Sequence, residues 1–228
     1  MEMRNIIYLY RIYEKEMINM VLCDDLAALD NYVDFLRIYE GRRHYYGGAQ
    51  KWFRSSELRH AGCSIVAAAN IAAYISIMSN NKSLYNYDDM SKDNFLHLME
   101  EIALFIQPDA EKGVTSVAYF EDKVREFSKD KGVVLRSHAI TTEDYFTNVK
   151  DFIKGALGEN KPVALLMLKN NVLKEFDWHW MTVTKLFENM DKTYVDISTW
   201  GERRIFTLED FYKYSSFGAL SYFDAVNI

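Results

Sequence analysis

The sequence predicts an α+β protein: a helical half that carries a cysteine helix, packed on an antiparallel sheet that carries a histidine. Three observations lead there. Helical apolar spacing dominates up to residue 132, and strand-like runs dominate after it. Between residues 62 and 75 almost every side chain is small or apolar, the mark of a helix buried on all sides.

The elements follow in order. Ile6, Leu9, Tyr10, Tyr13, Met17, Met20 and Val21 keep helical spacing, with charges on the opposite side. Asp30 is placed to cap a second helix through Val33, Leu36 and Tyr39, which Gly41 ends. A loop holding Gly47 and Gly48 precedes the small-residue helix headed by Gly62-Cys63. Ser91 starts a helix through Phe95, Met99, Ile102 and Phe105 that Pro108 stops, and Thr115 caps another through Phe120, Val124 and Phe127. Residues 133–137 read as a short strand, and residues 142–157 as a helix stopped by Gly158. The continuous apolar run over residues 163–168 is a buried strand. Residues 178–187 and 193–199 flank the polar turn Glu188-Asn189-Met190-Asp191 and read as an antiparallel hairpin. Strands over 204–206 and 220–226, with a short helix over 207–214 between them, complete the chain. One domain is expected over residues 1–228, with 1–45 as an N-terminal helical extension and 46–228 as the core.

Composition removes several function classes. Hydrophobic residues make up 49% of the 228 positions and aromatics 15%, too many for a disordered chain. A net charge of −6 and a pI near 5.4 oppose general nucleic-acid binding, which needs surplus Lys and Arg. One segment runs the other way: Arg42, Arg43, Lys51, Arg54 and Arg59 face the single acid Glu57. It is either a solvated basic face or a positive rim beside Cys63. Two cysteines cannot build a disulfide framework or a Cys-rich zinc site, and they suit a reducing compartment. Glu2, Arg4, Arg11, Glu14, Lys15 and Glu16 break any signal-peptide core, and the apolar stretch over residues 64–78 is too short to span a bilayer. The expectation is a cytoplasmic protein with no metal or other cofactor and neither membrane nor nucleic-acid partner. The sequence specifies no oligomeric state.

Cys63 is the most informative residue. It follows Gly62 at the head of a helix, where unpaired backbone N–H groups and the positive dipole end favour a thiolate. The plain alternative is a buried structural cysteine. Cys23, beside Asp24 and Asp25, has nothing to poise it. A nucleophilic thiol needs a base, and His179 in Asp177-Trp178-His179-Trp180 is the best placed of five histidines. A base needs a third group to fix its ring. If Glu188 pairs with Asp191, His179 lies opposite Trp200, with Ser198 the diagonal neighbour and Asp196 about 13 Å along the strand. Geometry prefers Ser198; chemistry prefers the carboxylate of Asp196, which better stabilises an imidazolium. Both stay open.

A cysteine at the head of a small-residue helix, then Lys161-Pro162-Val163 and a buried strand, then His179-Trp180 opening a hairpin, then Ser198-Thr199-Trp200-Gly201, resembles the papain-like cysteine peptidase superfamily. The outline is similar to bacteriocin-leader-processing bacterial peptidases and their stand-alone relatives, over residues 45–228. The resemblance implies that Cys63 attacks a peptide or amide carbonyl, that His179 is the base and that Trp200 shields its ring. In that family an Asn stands where Ser198 stands here. Six residues before the cysteine the family has an oxyanion-hole Gln, and here the residue is Glu57. Gln50, thirteen before Cys63, takes that part only if the intervening basic segment loops out. The implied activity is a cysteine peptidase or amidase acting on a peptide or a small amide-containing substrate. The alternatives are an acyltransferase using the same acyl-enzyme and a catalytically incomplete binding module. The basic segment would suit an acidic substrate.

Overall fold

The computed structural model describes residues 23–226. In chain order the elements are β1 (Cys23–Ala28), β2 (Arg37–Glu40), β3 (Arg43–Tyr46), α1 (Ser56–Ala61), α2 (Cys63–Met78), α3 (Lys92–Ile102), α4 (Val117–Asp130) and β4 (Leu135–Thr141). They continue with α5 (Phe146–Gly158), β5 (Val163–Met167), β6 (His179–Asn189), β7 (Lys192–Thr199), β8 (Glu202–Thr207), α6 (Leu208–Tyr214) and β9 (Gly218–Ala225). The fold is α+β. Seven strands form one antiparallel sheet in the order β4-β9-β5-β6-β7-β8, with β1 pairing β6 beyond the end of β5. β2 and β3 form a separate hairpin.

Side-chain caps start several of the helices. Ser91 Oγ accepts from Asn94 N at 3.2 Å and starts α3, whose apolar face buries Phe95, Leu98, Met99 and Ile102. The cap of α4 is Ser116, one residue past the expected Thr115; its Oγ accepts from Tyr119 N at 3.3 Å. Thr207 Oγ1 caps α6 through Asp210 N. α2 has no polar stripe, and its side chains are small enough for neighbours to approach from every direction. It packs on β5 and β6, and all five residues of β5 are buried. No helix among the described residues is long and apolar enough to cross a membrane.

The N-terminal expectation needs correction. The helix predicted over Ile6 to Val21 lies outside the described residues. The one predicted from Asp30 to Gly41 does not form. Residues 23–28 are a sheet strand, and residues 37–46 are a hairpin whose turn places Gly41 at φ 60°. Of the helical face proposed there only Leu36 is buried: Val33 is 62% exposed and Tyr39 45%, whereas Phe35 and Ile38 are fully buried. The segment from Cys23 to residue 45 is therefore strand and hairpin, with β1 built into the main sheet, rather than a helical extension.

Candidate active site

α1 runs into α2 through a single residue. Gly62 N–H donates to the Leu58 carbonyl at 2.9 Å while its own carbonyl accepts from Val66 N at 3.2 Å. A Cβ at Gly62 would overlap the Leu58 carbonyl oxygen, so only glycine fits this junction. The junction puts Cys63 on the first turn of α2, 4% exposed, with Sγ 4.0 Å from the Trp178 carbonyl oxygen. Burial pushes the thiol up to about 11, opposed in part by the backbone N–H groups of Trp180, Ser64 and Cys63.

His179 opens β6 directly after Trp178, which holds a left-handed φ of 56°. The imidazole Nε2 lies 2.6 Å from Thr199 Oγ1, which leaves Nδ1 as the free ring nitrogen. The Trp200 indole stacks on the ring at 4.8 Å between centroids, and Phe176 stacks on Trp200 at 5.5 Å. Buried under this lid, the imidazole is pushed down to about 4. Burial thus favours the uncharged form of each group, thiol and neutral imidazole.

The hairpin register decides which residue meets the ring, and it is one residue away from the expected one. The turn is closed by Asn189 opposite Lys192, and a bulge at Thr184 shifts the ladder again, so Thr182 stands opposite Ser198 and Val183 opposite Ile197. Such a slip moves every side chain to the other face. Thr199, with Ile197, shares the face of His179, Met181 and Val183, while Ser198 shares that of Thr182. Neither of the two expected orienters touches the ring. Ser198 Oγ donates to the Tyr46 carbonyl at 2.7 Å and accepts from Asn70 Nδ2 at 3.3 Å. Asp196 is fully buried opposite Lys185, with its carboxylate paired to the Arg203 guanidinium.

Cys63 and His179 line one cleft with Gln50, Asn70, Thr182, Ser198, Thr199 and Trp200. Its volume is about 10 Å³, enough for roughly one water. Gln50 thus does reach the cleft across the intervening basic segment, but its Nε2 donates to the Arg59 and His60 carbonyls at 3.1 and 2.9 Å. These are late carbonyls of α1, so Gln50 ties down the end of the helix that leads into Cys63.

Asn70 is a polar residue inside the otherwise apolar α2. It is 1% exposed and satisfied on both sides: Oδ1 accepts from Gly48 N at 3.0 Å, and Nδ2 donates to Thr182 and Ser198. A Cβ on Gly47, at φ 74°, would collide with Ser198 Oγ and crowd Asn70, which is why the loop there needs glycine. Asn70 therefore fastens the cysteine helix to the histidine hairpin. A polar residue amid an apolar helix is the signal that marks it, because burial demands partners.

The basic segment does not converge on the cleft. Arg42, Arg43, Lys51 and Arg54 are exposed, Arg59 donates to the Phe53 and Arg54 carbonyls, and Arg54 pairs with Glu100 at 3.8 Å. Among the described residues no group of three or more His, Cys, Asp or Glu side chains is placed to hold a metal ion.

No family model and no curated protein matches the sequence. Among solved structures, the fold is similar to the crystal structure of UfSP from C. elegans, with a TM-score of 0.47 and 7% identity. The match covers 89% of this chain and 35% of that one, so the chain spans about a third of the length of that neighbour.

Chemically, the site offers a thiol at a helix N-terminus, an imidazole whose Nε2 is held by a hydroxyl, and backbone N–H groups around the sulfur. That set is suited to nucleophilic attack on a carbonyl.

Proposed function

We propose that the chain is a cysteine peptidase or amidase of the papain-like type, with Cys63 as nucleophile and His179 as base. The observation that carries the reading is that both residues line one cleft, with His179 Nε2 committed to Thr199 and Nδ1 left free. His179 Nδ1 takes the Sγ proton as sulfur attacks the carbonyl carbon. The tetrahedral oxyanion meets the N–H of Cys63. The C–N bond then breaks, and the amine leaves with the proton held on the imidazolium. Water, deprotonated by the same ring, releases the acid and restores the thiol. An amine in place of that water makes the enzyme an acyltransferase. Thr199 takes the orienting part: in the tautomer that leaves Nδ1 unprotonated its oxygen accepts from Nε2–H, and it still accepts once the ring is charged. Trp200 keeps water from that hydrogen bond.

Two observations favour a second reading, a binding module with an incomplete site: burial favours the neutral form of both groups, and the Gln50 donors are already engaged. Incubation with a degenerate peptide library, read by mass spectrometry, separates the two. Cleavage that persists in Cys23→Ala and disappears in Cys63→Ala supports the enzyme. No cleavage by any form, with and without added amine acceptor, selects the binding module.

A further inference from the structure

A second cavity of about 300 Å³ lies between α1 and the turn after α3. Leu58, Ala61, Ala103, Ile106, Pro108 and Ala110 give it an apolar lining, and its one ionisable lining residue is Glu57. Leu58 and Ala61 are one turn apart, and Glu57 and Ala61 four residues apart, so all three belong to one face of α1.

Cys63 does not line this cavity, but Ala61, which does, stands just before it in the chain. Ala61 and Cys63 are two residues apart, which puts their Cα atoms at most about 7.6 Å from each other. The loop that walls the cavity also leads to the histidine. After Pro108 and Ala110 it passes Ala61, where a Cβ on Gly113 would stand 3.4 Å from the Ala61 carbonyl oxygen. It then reaches Val114, whose carbonyl accepts from Trp180 Nε1 at 2.7 Å, next to His179. An extended peptide advances about 3.3 Å per residue, so one or two residues cover a separation of that size.

The charges select the occupant. Arg54 is paired with Glu100 and Arg59 with backbone carbonyls, so Glu57 has no cationic partner among the described residues. We infer that the cavity takes a lysine-like substrate side chain, an aliphatic stem ending in a cation, within two residues of the bond attacked by Cys63. The inference rests on the peptidase reading and reverses the acidic substrate that the basic segment suggested. Apolar lining accepts the methylene stem, and the Glu57 carboxylate at the cavity meets the cation.

The test uses the full chain in a Cys23→Ala background and peptidyl chloromethyl ketones carrying alanine, norleucine, lysine or glutamate at the first or second residue from the reactive carbon. Labelling of Cys63 is followed by intact mass. In one of the two series, norleucine and lysine reagents should react at least about 10-fold faster than alanine, from burial of the stem. Lysine should exceed norleucine by roughly 2- to 5-fold, an advantage lost in Glu57→Gln. Ala110→Phe, on an exposed loop position, should bring lysine and norleucine down to the alanine rate. Flat rates in both series, or a preference indifferent to both substitutions, overturn the inference if iodoacetamide labelling still depends on His179. Loss of that dependence overturns the peptidase reading itself and this inference with it.

Discussion

Thr199 Oγ1 lies 2.6 Å from Nε2 of His179, and a hydroxyl rather than a carboxylate is what fixes the ring. The relationship predicts a specific order of effects. Thr199→Val should slow His179-dependent alkylation of Cys63 about 5- to 10-fold, the loss of one neutral hydrogen bond, while Thr199→Ser should retain most of the rate. Asp196→Asn should leave the pH profile of that reaction in place. The measurement is the iodoacetamide rate against pH for each variant.

Asp196 and Arg203 form a separate unit. The Asp196 carboxylate is fully buried, burial raises its pKa against the pull of Arg203, and its Oδ1 has no partner. Removing the guanidinium strands that charge. Arg203→Met should destabilise the fold by roughly 3 kcal/mol in urea titration, and adding Asp196→Asn should recover part of the loss.

Asn70 couples helix to hairpin. Asn70→Leu leaves the buried Gly48 N–H without an acceptor and should cost about 1–3 kcal/mol in the same titration. It should also lower the alkylation rate of Cys63, because α2 loses its tie to Thr182 and Ser198.

Stability should respond to acid through His179. Its folded pKa of about 4 lies below the unfolded value of about 6.5, so between these limits the unfolded chain binds a proton that the folded chain refuses. The stability gained from keeping the ring neutral is complete above pH 6.5 and is lost as pH falls toward 4, roughly 3 kcal/mol in all. Urea unfolding at pH 4.5 and 7 should show a smaller difference in His179→Gln than in the unsubstituted protein.

Much of this site can be read in the sequence, and the limits have physical causes. Gly62-Cys63 followed by small residues specifies a buried helix with a thiol at its head, and residues 163–168 specify a buried strand, because those patterns have few alternatives. The orienting residue could not be read in the same way, because it depends on register. The turn closed at Asn189 and Lys192, with Met190 at φ 55°, and Thr184 bulged, so Thr199 took the face assigned to Ser198. No local pattern announces a bulge. The N-terminal segment differs for a related reason: Val33, Leu36 and Tyr39 have helical spacing, yet Gly41 serves a hairpin turn and burial takes Phe35, Leu36 and Ile38.

The most direct test of the Cys63–His179 pairing is the pH–rate profile of iodoacetamide alkylation at Cys63, in Cys23→Ala with and without His179→Ala. The neutral imidazole acts as base above its low pKa, so the rate should already be on a plateau between about pH 5 and 8. In His179→Ala, reactivity should appear only as the thiol approaches its own raised pKa of about 11. Superimposable profiles for the two proteins would contradict the account.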